Sequence, residues 1–96
     1  MPRFVIERSY TVEEAEVPVV ATRSKRIARD AYPEIVWEHS HVVLDQNGVP
    51  KSFCIYMAPS EDMVRQHADQ LGDHTIVAIY EIAGDVTPND FPLEDD

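Results

Sequence analysis

The turn at Asn47-Gly48 constrains this chain more than any other feature, because both residues tolerate the positive φ of a tight hairpin. Alternating apolar and β-rich segments flank it at 34–45 and 51–58, which predicts two antiparallel strands. Residues 3–10 (Arg-Phe-Val-Ile-Glu-Arg-Ser-Tyr) and 75–83 (Thr-Ile-Val-Ala-Ile-Tyr-Glu-Ile-Ala) read as two more. Between the first and second strands, Thr11-Val12-Glu13-Glu14 fits a capping box. Pro18 then either starts the helix in its first turn or kinks it, and the helix runs to about Asp30. Between the third and fourth strands, Ser60 caps a helix whose apolar stripe is Met63, Val64, His67, Ala68 and Leu71, and Gly72 stops it. The order is β-α-β-β-α-β. This predicts an α+β, ferredoxin-like fold: an antiparallel sheet with two helices on one face and nothing on the other.

With 96 residues, such a sheet fills one domain. We expect residues 1–84 to form it and 85–96 to be an acidic C-terminal tail with five acids and no base. Phe91 would anchor a short turn at Thr87-Pro88-Asn89-Asp90. Eighteen acids against eight bases, net −10, argue against nucleic acid or an anionic membrane as partner. No apolar run reaches the roughly 20 residues of a membrane helix, and the opening meets an acid too early for a signal peptide. A single cysteine, Cys54, excludes an internal disulfide and any Cys-x-x-Cys site. A cytoplasmic location is the expectation.

Strand parity sorts the side chains. A two-residue turn pairs Gln46 with Val49 and places Val42 opposite Phe53, His41 opposite Cys54 and His39 opposite Tyr56. Phe53, Ile55 and Met57 then lie under the helices with Val36, Val42 and Leu44. Trp37, His39, His41, Cys54 and Tyr56 share the uncovered face. An exposed apolar face of this kind is an interaction surface, and a second copy is its simplest cover. The expected assembly is a homodimer forming a dimeric α/β barrel.

Several uses of the uncovered face stay open. His39 and His41, two apart on a strand, can converge on one transition metal, with Cys54 and Glu7 as further ligands. They can equally be hydrogen-bonded members of a half-buried strand, or acid–base groups. Trp37 and Tyr56 line either a cavity or a packed interface. His67, on an apolar stripe, reads as a core residue bonded to backbone, with a ligand or shuttle role as the alternative. His74 reads as exposed. No residue stands out as a catalytic nucleophile.

The segments Trp37-Glu38-His39-Ser40-His41-Val42, Phe53-Cys54-Ile55-Tyr56-Met57-Ala58-Pro59-Ser60 and Arg65-Gln66-His67-Ala68 resemble domain-of-unknown-function family 4242. The opening Arg3-Phe4-Val5-Ile6-Glu7-Arg8 and the closing Thr87-Pro88-Asn89-Asp90-Phe91 do so too. This is a family of small bacterial proteins, some described as nickel-binding. The resemblance implies a dimeric ferredoxin-like fold and transition-metal binding, with nickel as the named metal and zinc or copper as alternatives. It marks Trp37, His39, Ser40, Cys54, Tyr56 and His67 as characteristic. The combined expectation is a nickel-binding protein for sequestration, delivery or sensing, with His39 and His41 as ligands. The rival from another class is a cofactor-independent dimeric α/β-barrel enzyme, an oxygenase, isomerase or cyclase acting on a small aromatic or polyketide-like substrate. A third reading is a plain interaction module.

Overall fold

A computed structural model describes residues 1–95, so Asp96 of the acidic tail lies outside the described residues. Four strands, β1 (Arg3–Tyr10), β2 (Val36–Leu44), β3 (Pro50–Met57) and β4 (His74–Glu81), form one antiparallel sheet in the order β2-β3-β1-β4. Helices α1 (Val17–Ala31) and α2 (Glu61–Leu71) complete an α+β, ferredoxin-like arrangement. No helix among the described residues is long and apolar enough to cross a membrane.

The helix starts follow local chemistry. Pro18 occupies the first turn of α1, where its missing N–H costs nothing. The capping box expected at Thr11 opens no helix. A short 3-10 turn (Glu14–Glu16) leads into α1 instead, without a side-chain cap. Helix α2 begins as its sequence predicts: the Ser60 hydroxyl accepts from the Met63 N–H at 3.2 Å, and Gly72 ends the helix at φ 68°.

The hairpin differs from expectation by one residue, and the difference decides the faces. Leu44 pairs with Pro50, and the Asp45 N–H donates to the Val49 carbonyl at 3.0 Å. The loop therefore has three residues, Gln46, Asn47 and Gly48. Asp45 builds it: its carboxylate accepts from the Asn47 and Val49 N–H groups at 2.8 and 2.9 Å. Gly48 supplies the left-handed residue at φ 79°, the conformation that ends a three-residue hairpin loop. An odd change in loop length inverts one strand's faces relative to its partner. A bulge between Trp37 and His39 makes a second inversion at the far end of β2.

The core lies between the sheet and the helices. Phe4, Ile6, Cys54, Tyr56, Ala58 and Val64 are its buried members, with Ile35. The expectation that Phe53, Ile55 and Met57 lie under the helices is overturned: the buried set on β3 is Pro50, Ser52, Cys54 and Tyr56. Beyond the sheet, Thr87 and Asp90 cap a 3-10 turn (Pro88–Asp90), but Phe91 stays 66% exposed and anchors nothing.

Candidate functional site

The two turns of register place the chemistry on opposite sides of one sheet. On the open face, His39 pairs with Ile55 and His41 with Phe53. Both histidines are exposed, and their ring centroids lie 5.4 Å apart at 84°. With metal–nitrogen bonds of about 2.1 Å, two imidazoles on one ion have centres roughly 4.5–5.2 Å apart. The observed pair is slightly wider than that separation. The donor set is nitrogen, which suits nickel, copper or zinc and not calcium or magnesium.

The other expected ligands are not beside this pair. Glu7 shares the open face but is aligned with Phe53, which separates it from His41. Two strand spacings put it roughly 10 Å away, and its carboxylate is bonded to the Lys51 ammonium. Cys54 is on the covered side, 5% exposed, with its sulfur 3.3 Å from the Ser52 hydroxyl. Among the described residues, no three His, Cys, Asp or Glu side chains come together as a metal centre. Glu38, next to His39, is occupied by Arg3 at 2.8 Å.

Trp37 and Tyr56 are also on the covered side, a correction to the expectation that they line the open face. The bulge turns Trp37 over, so it pairs with Tyr56 and donates its indole N–H to the Ser40 hydroxyl at 2.8 Å. Both aromatics border a half-open groove of about 420 Å³ between α1 and β2, together with Ser24, Lys25, Arg29 and Ile35. They also border an inner chamber of about 60 Å³ that reaches Arg8, Ser52 and Cys54.

His67 is fully buried. Its Nε2–H donates to the Ser24 carbonyl at 3.0 Å, which fixes the neutral tautomer and leaves Nδ1 without a partner among the described residues. Tyr32 and Tyr56 pack edge-on against its ring. Burial holds its pKa below the ordinary value, against the Ser24 hydrogen bond, with Arg8 adding to the depression. His74 is not exposed as its sequence position suggested. Its Nδ1–H donates to the Gly72 carbonyl at 2.8 Å, so its Nε2 accepts from the Arg8 guanidinium at 3.1 Å. Burial and the Arg8 charge keep it neutral as well.

Arg8, Ser24 and Ser52 were missed by sequence reasoning. Arg8 is 1% exposed and stacks over the Tyr56 ring at 5.3 Å. Ser52, also 1% exposed, bonds the Tyr10 hydroxyl at 2.9 Å. Burial pushes the Tyr10 and Tyr56 phenols up, with Arg8 opposing in part, so both remain protonated. The available signal was parity on the first strand: Arg8 continues the alternation of Phe4 and Ile6, a charge at a core-facing position.

Residues 4–82 match the family model described as "Nickel responsive protein SCO4226-like". Searches of curated proteins and of solved structures gave no significant match.

Proposed function

The chain belongs to this nickel-responsive SCO4226-like family, and from that premise we propose that it is a nickel-binding protein whose ligands are His39 and His41. The observation that carries the reading is the pair of adjacent imidazoles on the uncovered face, whose ring centres lie 5.4 Å apart, near the separation one shared ion requires. The segments at 37–42, 53–60 and 65–68 that resemble family 4242 fall within the matched span, while 87–91 lies beyond it; the shared segments support treating the two descriptions as one group.

Two imidazoles do not fill a transition-metal coordination sphere. A second copy related by two-fold symmetry supplies the same two groups again, and it covers the exposed apolar residues Val43, Phe53 and Tyr80. The functional unit is therefore a homodimer with the two sheets facing each other. Cys54 and Glu7, expected as further ligands, are not needed in this arrangement. The role is sequestration, delivery or sensing in the cytoplasm. What the chain does is hold the ion at neutral imidazole nitrogens, and no step of turnover is required.

Calorimetric titration with nickel tests the ligands. The parent protein should bind nickel, and the His39→Ala, His41→Ala double variant should lose at least about a hundredfold in affinity, as expected when ligands are removed rather than their supporting shell. Equal binding by the two proteins would remove the histidines from the site.

A further inference from the structure

On the covered side of the sheet, a second feature is independent of the metal reading. Arg8 is 1% exposed and has no carboxylate partner among the described residues. A buried cation without a counter-charge is costly, and proteins ordinarily pair it. Its Nη1 donates to His74, and its plane rests on Tyr56. Among the described residues its Nε and Nη2 have no partner, and both are closed to solvent. These two nitrogens form the side edge of the guanidinium, a fork whose parallel N–H bonds match the two oxygens of a carboxylate.

Arg8 lines the space that would receive such a group, and because Nε and Nη2 are closed off in the free chain, a small side-chain rotation turns the fork toward it as the ligand enters. The inner chamber of about 60 Å³ is several-fold larger than the roughly 10–15 Å³ that admits one water. Tyr10, Ser52 and Tyr56 add hydroxyls to its wall, and Val17, Val20 and Leu71 add apolar surface. The groove of about 420 Å³ shares Ser24, Trp37 and Tyr56 with the chamber. Charge agrees with shape: the chain has 18 acids and 8 bases, yet Arg8, Lys25 and Arg29 border the two spaces and no acid does.

We propose that Arg8 anchors a binding site for a small organic carboxylic acid, with the carboxylate in the inner chamber and the apolar body toward the groove between α1 and β2. The fork of Arg8 takes the two carboxylate oxygens and supplies the missing counter-charge. Trp37, at the border of both spaces, meets the body of the ligand.

Trp37 is also the chain's one tryptophan, so its fluorescence reports occupancy. The test titrates the full chain with isobutyrate and with its neutral amide, isobutyramide, at constant ionic strength. Isobutyrate should give a saturable change and isobutyramide none. Arg8→Lys keeps the charge but removes the fork, and should weaken isobutyrate binding at least about tenfold. No saturable response to isobutyrate, an equal response to the amide, or unchanged affinity in Arg8→Lys would overturn the site. If Arg8→Lys does not fold, the Nε–H resonance of Arg8 in the parent protein decides: it should move with isobutyrate and saturate, and a resonance that stays still overturns the proposal.

Discussion

The four histidines of this chain divide evenly across one sheet, and the two pairs do opposite things. His39 and His41 stand exposed on the open face, with their rings side by side. His67 and His74 lie on the helix side, where each has one ring nitrogen committed to a backbone carbonyl and is held neutral by burial and by Arg8. The first pair is free to take a ligand. The second is part of the architecture: His74 bonds Arg8, and His67 packs against the Tyr56 ring on which Arg8 rests. Residue type alone does not distinguish them. What does is the face, and the face is set by turn length and a bulge.

The sharpest contrast between the two sides is in stability. Ile6→Ala, at a fully buried position on the covered side, should cost about 2–5 kcal/mol in denaturant unfolding. Ile55→Ala, half-buried on the open side, should cost clearly less in dilute protein. Similar losses would mean that the open face is packed as firmly as the core.

Gly48→Ala attacks the turn that sets the faces. Nothing lies within 4 Å of the added Cβ, so the whole effect comes from φ 79°. A loss of about 1–2 kcal/mol is expected from an L-residue forced into that region. No loss would indicate that the loop is not the three-residue turn described.

Acid should act through the covered pair. The folded pKa values of His67 and His74 lie below the ordinary 6.5. Below pH 6.5 the unfolded chain takes up protons that the folded chain refuses. Stability is therefore full above that pH and declines as pH falls toward the folded values. Urea unfolding measured across this range should show the decline, and His67→Asn should flatten it. A stability that rises on acidification from pH 6.5 would contradict the assignment of these rings as neutral.

The smallest effect belongs to the open pair. The His39→Ala, His41→Ala double variant should alter stability without metal by less than about 0.5 kcal/mol, as for surface changes that leave no buried group unpaired. A larger loss would give these histidines a structural role that the open face does not suggest.

Much of the fold was legible because periodicity and punctuation agree. Ser60, Gly72 and the first-turn Pro18 mark helix ends by mechanisms that act within a few residues. The faces of β3 were not legible for two reasons. The Asp45 carboxylate stabilises a three-residue loop where Asn47-Gly48 alone suggests two. The apolar contrast on β3 also points the wrong way, since Ser52, Cys54 and Tyr56 are buried while Phe53 is 36% exposed. A polar inner set makes sense once Arg8 is seen beside it, but one strand cannot reveal its neighbour's buried charge. Local rules fail most often where a protein holds something other than a plain core. His39 and His41 fall on the open face because the parity assigned to β2 held between them, even though Trp37 crosses over at the bulge.

Proton NMR of the four imidazole rings during a nickel titration tests the division most directly, because paramagnetic nickel broadens only nearby resonances. The ring signals of His39 and His41 should disappear first and together, while those of His67 and His74 persist. Early loss of the His67 or His74 signals, or equal broadening of all four, would contradict a metal site on the open face.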